Sequence, residues 1–240
     1  MVDTHCHIIP KIDDGAKSVE DSIKLIKEAK EAGFTDVIFT PHHITNYYEA
    51  TPTEINMLTT TLQNVALKNN INIRFHSGME IYTCEELVEK LKQGKLLTLA
   101  NSNYMLVELP MNSKLIYATE ILSVIKSLGY TVIIAHPERY SYVQEDINYA
   151  KDLVDNDFLL QCNYASIIGF YGAHAKETLK KLLKLNLVSF FGTDVHRPNS
   201  IYNDMPKIIR KLEKILPQDK LYKITTQNPQ MIIDNKTWDF

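Results

Sequence analysis

The chain has 240 residues, 45% of them hydrophobic, with 26 Lys and Arg against 29 Asp and Glu for a formal net charge of −3. That balance gives no electrostatic reason to expect a nucleic-acid backbone or an acidic lipid surface as partner. No apolar stretch approaches the roughly 18 residues a transmembrane helix requires, so no membrane insertion is expected.

In chain order, short apolar runs alternate with helical patterns. Strands are predicted at Val2–His7, Asp36–Pro41, Ile73–Glu80, Tyr104–Leu109, Thr131–Ala135, Phe158–Cys162 and Val188–Gly192. Runs such as Thr131-Val132-Ile133-Ile134 are β-branched, as in parallel strands buried on both faces. The first helix is predicted to begin after Ser18, with Asp21 completing a capping box, to bury Val19, Ile23 and Ile26, and to stop at Gly33. Further helices are predicted at Pro52–Lys68, Glu85–Gln93, Ile116–Leu128, Asp146–Asp155, Ala173–Leu185 and Met205–Leu216. Short ones follow at Asp219–Thr226 and Pro229–Ile233. Unbroken β/α alternation over residues 1–240 predicts one domain built as a closed or nearly closed parallel α/β barrel with outer helices.

The three cysteines, Cys6, Cys84 and Cys162, are scattered and form no C-x-x-C. No charged n-region followed by an apolar core opens the chain. A reduced, cytoplasmic setting is expected. Cys6, between His5 and His7, is expected to point away from both and to pack.

Barrel proteins carry their chemistry at the C-terminal ends of the strands. His5 and His7 end the first strand, and side chains two apart on a strand share one side. His42 and His43 follow the second strand, Glu80 ends the third, Glu108 the fourth and His136 the fifth, and Asp194 and His196 follow the seventh. Asp14 lies in the acidic turn after the first strand. Ligand types from separate strand ends predict one metal cluster. Asp14, Glu80, Glu108 and Asp194 together carry about four negative charges, which repel and leave some carboxyls protonated unless cations are present. Three divalent ions and one bound hydroxide bring the net charge to about +1, which suits a phosphate dianion. Imidazoles with carboxylates favour Mn²⁺, Fe or Zn²⁺ over Mg²⁺ or Ca²⁺. Such ions activate water for in-line attack on a phosphoryl group. Arg139 and Arg197 stand beside His136 and His196 and could each grip phosphate. Asp3 and Asp13 are expected to support the ligands, Asp3 by orienting an imidazole; His43 adjoins His42 but is expected to face elsewhere, in a supporting place. His76 and His174 are expected to ligate nothing, and Tyr47, Tyr48 and Tyr140 to pack or lie on the surface. Six residues beyond the cysteines lie Ile12, Lys90 and Ile168, so there is no C-x5-R phosphate loop; G-x-S-x-G, P-loop and G-x-G-x-x-G patterns are also missing.

With these residues assembled, the chain resembles the PHP (polymerase and histidinol phosphatase) superfamily, and more closely the bacterial capsule-type protein-tyrosine phosphatases of the CpsB/YwqE kind. The resemblance rests on Asp3-Thr4-His5-Cys6-His7-Ile8-Ile9-Pro10, Ile12-Asp13-Asp14-Gly15-Ala16-Lys17, Thr40-Pro41-His42-His43 and Gly78-Met79-Glu80. It continues through Glu108-Leu109-Pro110, Ala135-His136-Pro137-Glu138-Arg139-Tyr140, Gly169-Phe170-Tyr171-Gly172 and Gly192-Thr193-Asp194-Val195-His196, so it spans essentially the whole chain. It implies a distorted (β/α)7 TIM-like barrel, the PHP fold, with three divalent ions, foremost Mn²⁺. One ion would take His5, His7, Glu80 and Asp194. Glu80 would bridge to a second with Glu108 and His136, and a third would take Asp14, or Asp13 in its place, with His42 and His196. It further implies hydrolysis of phosphotyrosine by metal-bound hydroxide, on the tyrosine-rich tail of a bacterial tyrosine kinase of capsule or exopolysaccharide synthesis. Family members often carry an arginine several residues past the last histidine ligand; here Arg197 follows His196 directly and Ile201 stands further on. Two readings compete: another PHP phosphoesterase such as a histidinol-phosphate phosphatase, and a scaffold of the same fold without catalysis.

Overall fold

Strand alternation decides which half of each apolar run faces the barrel axis. In the structure, a computed structural model describing residues 1–115 and 117–239, the strands are β1 (Val2–Asp3), β2 (Asp36–Phe39), β3 (His42–His43), β4 (Arg74–Ser77) and β5 (Glu80–Tyr82). They are followed by β6 (Tyr104–Glu108), β7 (Thr131–Ala135), β8 (Leu159–Asn163) and β9 (Phe190–Gly192). All ladders are parallel, in the orders β1-β2-β4 and β3-β5-β6-β7-β8-β9. The last strand meets the first through a parallel bridge between Cys6 and Val195, with His7 N–H donating to Val195 O at 3.0 Å and Asp194 N–H to His5 O at 2.7 Å. The result is the distorted seven-stranded α/β barrel of the sequence reading.

Two expected strands are each split. The second breaks at Thr40-Pro41, where proline has no N–H for the ladder. The third breaks at Gly78-Met79, where a Cβ on Gly78 would stand 2.9 Å from Leu99 and 3.3 Å from Phe39 O. These offsets swing His42 and Glu80 inward and set them opposite each other in register.

Inward positions divide into two floors. Ile38, Tyr104, Leu106, Ile133, Ala135, Leu159 and Phe190 form an apolar floor with Leu99 and Ile232. One or two residues further along the strands the inward side chains turn polar. The outward faces, including Val37, Phe39, Val107, Val132, Ile134, Leu160 and Phe191, pack beneath the helices.

The helices are α1 (Val19–Glu31), α2 (Pro52–Lys68), α3 (Leu87–Lys92), α4 (Ala118–Ser127), α5 (Ser141–Glu145), α6 (Asn148–Asp155), α7 (Gly172–Lys184), α8 (Ile201–Leu212), α9 (Gln218–Tyr222) and α10 (Asn228–Ile233). Short 3-10 segments include Pro137–Arg139 and Tyr164–Ile168. Ser18 caps α1, but the Asp21 carboxylate returns to Lys17 N–H, not to Ser18, so the capping box is incomplete. The buried stripe of α1 is Ser22, Leu25, Ile26 and Ala29, whereas Val19 is exposed. The expected start of the fourth helix at Ile116 lies outside the described residues. α5 was not expected. α8 begins four residues before the expected Met205, because Ile201 and Tyr202 belong to its buried face and Pro206 is accommodated near its start. Among the described residues no helix is long and apolar enough to cross a membrane.

Asp36 and Arg74, opposite one another on β2 and β4, form a two-pronged pair at 2.7 and 2.8 Å, and His76 Nε2 stands 3.1 Å from the same carboxylate. Burial opposes ionisation of Asp36, but these partners hold its pKa below the usual carboxylate value. A depressed folded-state pKa means that the pair stabilises above the unfolded value of about 3.9 and loses that contribution as pH falls below it. Asp36→Asn is expected to lower stability by about 1–3 kcal/mol at pH 7. Denaturant titrations of both proteins at pH 7 and pH 3 check this, and a difference that does not shrink at pH 3 contradicts it.

Candidate metal centre

The polar upper floor gathers every predicted ligand at the C-terminal rim. His5, His7, Glu80, Glu108, His136 and Asp194 are buried; His42 is half-buried and Asp14 lies at the mouth. Three groups offer donor atoms within 4.8 Å of one another: His5, His7 and Glu80; His42, Glu80 and Glu108; and His7, Asp14, His42 and His196. Glu80 thus belongs to two groups, as the sequence reading expects of a bridge. Its Oε1 lies 2.8 Å from His136 Nε2 and its Oε2 2.9 Å from His42 Nδ1. The Asp194 Oδ1 stands 3.6 and 3.5 Å from the His5 and His7 Nε2 atoms. His42 and His7 each face two groups, a sharing that strand order alone does not reveal.

The donor geometry fits ions. Two ligands about 2.1 Å from one metal stand roughly 3.0–3.4 Å apart. His5 Nε2 is 3.1 Å from His7 Nε2 and 3.1 Å from Glu80 Oε2, and His7 Nε2 is 3.3 Å from that oxygen. Three of the five rings direct an Nδ1–H elsewhere, while His42 and His136 turn a nitrogen to Glu80. His5 Nδ1–H donates to Gln161 Oε1 at 2.8 Å, His7 Nδ1–H to Asp13 Oδ2 at 2.7 Å, and His196 Nδ1–H to Asp194 O at 2.9 Å. The Nε2 atoms of His5 and His7 are left facing each other and Glu80 Oε2, a crowding that a cation resolves. Asp14 Oδ1, His42 Nδ1 and Glu80 Oε2 are buried atoms with no hydrogen-bond partner.

Electrostatics agree. Burial, then the Glu80 charge beside it, pushes the Glu108 carboxyl up to about 8. Burial also opposes ionisation of Glu80, but the nearby His5 and His42 rings hold its pKa well below the carboxylate range. Burial lowers His136 to about 4, leaving it a neutral donor. His196 holds Asp14 down to about 2. Of the four carboxyls, Glu108 keeps a proton at neutral pH, the frustration expected of clustered acids without cations.

The supporting residues divide differently from expectation. Asp13 orients His7 and also accepts from His42 N–H at 3.0 Å and Gly15 N–H at 2.8 Å, so Asp14, not Asp13, turns into the cluster. Asp3 orients no imidazole: its carboxylate accepts from Thr193 N–H and Oγ1 at 2.9 and 2.6 Å and from Tyr202 OH at 2.7 Å. It lies too low on β1 to reach a ring and instead ties the first strand to the last. His43 faces away from His42, as expected, but its ring meets a lysine and not a ligand. Neighbouring strand residues face opposite ways, and its Nε2 meets Lys90 Nζ at 3.4 Å. Arg139 Nη1 donates to Asp194 Oδ2 at 2.7 Å, and its guanidinium lies 4.4 Å from the Tyr171 ring centre. Arg197 Nη1 donates to the carbonyls of Asp14, Gly15 and His196 at 2.6, 2.6 and 2.8 Å, so that nitrogen clamps the mouth loop instead of standing free for phosphate. As expected, Cys6 packs in the core, His76 and His174 stand outside the cluster, and Tyr140 packs, bracing two strands by accepting from Leu109 N–H and donating to Ala135 O; Cys162 is buried too.

The strand expected at Phe158–Cys162 forms as β8 (Leu159–Asn163), but its part in the site was not foreseen. Gln161 and Asn163 point inward; Asn163 Nδ2 donates to Asp194 Oδ2 at 2.7 Å, and Gln161 Nε2 to Asn163 Oδ1 at 3.0 Å. The buried Glu138 accepts from Asn163 N–H and Ser166 Oγ, fixing that strand end. Two amides at alternate positions of the apolar run Leu159–Asn163 were the available signal. Gly192 faces the same interior, where a Cβ would stand 2.5 Å from His5 Cβ and 2.9 Å from Gln161 Nε2. His136 (φ 34°) and Asp194 (φ 54°) hold left-handed backbone, a strain of about 1–2 kcal/mol each that the closed barrel imposes.

Fold and donor set define a parallel α/β barrel whose rim fits divalent metal ions. The chain belongs to the CpsB/CapC family of capsular polysaccharide synthesis, whose profile matches residues 1–234. It is 30% identical over 237 residues to the tyrosine-protein phosphatase YwqE of Bacillus subtilis (strain 168), covering 99% of this chain and 93% of that one. It is 29% identical over 238 residues to the tyrosine-protein phosphatase CpsB of Streptococcus pneumoniae, covering 97% and 98%. It superimposes with a TM-score of 0.92, at 29% identity and covering 100% and 96%, on a chain from the crystal structures of YwqE and CpsB, described as unique metal-dependent tyrosine phosphatases. A histidinol phosphate phosphatase from Lactococcus lactis shares the fold at a TM-score of 0.58 and 15% identity, covering 89% and 93%.

Asp13→Asn is expected to lower metal affinity about 10–100-fold, because His7 loses the carboxylate that fixes its tautomer. Calorimetric titration of the metal-free protein with Mn²⁺ measures it; an unchanged isotherm removes Asp13 from that role.

Proposed function

We propose that this protein is a metal-dependent protein-tyrosine phosphatase of capsule or exopolysaccharide synthesis, acting in the cytoplasm as one domain on the tyrosine-rich tail of a bacterial tyrosine kinase. The observation that carries the reading is the Glu80-centred crowd of imidazole and carboxylate donors at the barrel rim, with the Arg139 guanidinium alongside. Three divalent ions, foremost Mn²⁺, match it, with His5, His7, Glu80 and Asp194 at the first, Glu80, Glu108 and His136 at the second, and Asp14, His42 and His196 at the third. When bound, the ions supply positive charge for the phosphoryl oxygens and an acidified water as nucleophile.

The chain's own residues do the rest. Gln161 and Asp13 hold His5 and His7 in one tautomer. Arg139, over the Tyr171 ring and tied by Nη1 to Asp194, keeps other N–H groups to donate to phosphoryl oxygens as charge gathers on them. Arg197 closes the mouth loop over Asp14. A cysteinyl route has no support: burial pushes the Cys6 and Cys162 thiols well above their usual range, and thiolate is the nucleophilic form.

Excess chelator is expected to abolish hydrolysis of a phosphotyrosine peptide, and added Mn²⁺ to restore it, with histidinol phosphate turned over far more slowly. Full activity in chelator sinks the metal reading; a preference for histidinol phosphate favours the competing phosphoesterase. Arg139→Lys and Arg139→Ala are each expected to lower kcat/KM roughly 30- to 1000-fold, about 2–4 kcal/mol, while metal content stays unchanged. A lowered melting temperature with normal turnover would reduce Arg139 to a structural partner of Asp194.

A further inference from the structure

Beside the metal centre lies a cleft of about 300 Å³, with Arg139, Asp194 and His196 at its inner end and Phe170, Tyr171 and Ile201 along its wall. Its composition is divided: a charged end that belongs to the centre, and an apolar side leading away from it. Phe170 is 56% exposed. Its turn is nonetheless well defined. Gly169 and Gly172 take φ of 85° and 94°, which a side chain would disfavour, and Phe170 N–H donates to Ala165 O at 3.2 Å. One side of the Phe170 ring meets Tyr171 edge-on, with centroids 5.0 Å apart. Tyr171 is itself pinned, by the Arg139 guanidinium over its face and by its hydroxyl 3.3 Å from Asp194 Oδ2. A solvent-facing aromatic ring is thus held in place, one ring removed from a member of the cluster.

We propose that Phe170 is the wall on which the aromatic ring of the substrate packs, so that this cleft is the aryl subsite of the centre and Phe170 a specificity determinant for aryl over alkyl phosphates. The inference rests on the phosphatase reading above and goes beyond it by assigning the ring's place. An aryl phosphate entering ring outward places its phosphoryl group against Arg139 and His196 and its ring in edge or offset contact with Phe170, the arrangement aromatic pairs prefer. A phosphoserine side chain holds only one carbon between phosphate and backbone and has no ring to reach the wall. Loss of one such ring contact corresponds to about a tenfold change in affinity.

The test uses the Mn²⁺-loaded full chain, a phosphotyrosine peptide, the same peptide with phosphoserine, and benzylphosphonate as a competitor that is not hydrolysed. Phe170→Ala is expected to raise KM for the phosphotyrosine peptide about tenfold with kcat within about threefold, and to weaken benzylphosphonate by the same factor. Phe170→Trp should restore both, and Leu128→Ala, at another exposed apolar position at the end of α4, should change neither. The ratio of kcat/KM for phosphotyrosine to that for phosphoserine should fall with Phe170→Ala at unchanged metal content and melting temperature. An unchanged KM, a loss confined to kcat, or the KM effect appearing in Tyr47→Ala on the opposite rim overturns the assignment. Wild-type protein that hydrolyses neither peptide overturns the phosphatase reading instead; calorimetric binding of benzylphosphonate to wild type and Phe170→Ala then still decides the place of the ring.

Discussion

The seam where the first strand meets the last is the joint on which the site depends. Asp3 and Thr193 are 190 residues apart, yet the buried Asp3 carboxylate accepts both Thr193 donors and the Tyr202 hydroxyl. Just above, His7 and Asp194 exchange backbone bonds with Val195 and His5. Only with this seam closed do His5 and His7 face Asp194 and His196. The seam also explains why Gly192 cannot carry a side chain: the two strands approach so closely that the space over Gly192 is taken by His5 and Gln161. Burial pushes the pKa of Asp3 up, and its several donors offset part of that penalty.

Above the seam the upper floor solves a problem that the lower floor lacks. Apolar side chains fill the lower barrel and need no partners. Each polar group higher up must be satisfied, and the structure gives most of them two duties. Asp194 turns Oδ1 toward His5 and His7 and Oδ2 toward Arg139, Asn163 and Tyr171. Glu80 divides its oxygens between His136 and His42. Removing any of these groups therefore strands buried partners as well as deleting a donor, and uncompensated buried polar groups are the larger penalty. Glu108 is left over: its raised pKa marks where negative charge exceeds what the protein alone can neutralise.

The rim is asymmetric in a way that bears on substrate. Toward β3 the loop carries Tyr47 and Tyr48, and Tyr48 lies nearly parallel to His42 at 6.0 Å. Toward α7 lie Phe170, Tyr171 and Arg139. Only the second side joins an aromatic wall, a guanidinium and two cluster members in one cleft. Lys90, reaching from α3 to His43, Thr45 and Glu49, steadies the first side from behind. That role uses His43, whose position behind His42 in sequence suggested support for a ligand.

How much was legible follows from the range of each interaction. Hydrophobic alternation and strand-end position are local, so the sequence by itself determined the barrel, the order of its strands and the nine side chains that crowd its rim. Local pattern also foretold that Cys6 turns away from its histidine neighbours. The split at Gly78, the early start of α8 and the exposure of Val19 depend on packing against distant elements, and propensity yields to such packing. The same holds for partners. Whether Asp13 or Asp14 enters the cluster turns on one residue, while the partners of Arg139 and Asp3 lie 55 to 199 residues away along the chain. Only tertiary structure decided them, because hydrogen bonds act over about 3 Å and a strand's alternation reverses direction at every residue. Gln161 and Asn163 fell on the tertiary side for a further reason: an amide carries no charge and ligates poorly, so its importance lies wholly in the imidazole and carboxylate that the closed barrel brings against it.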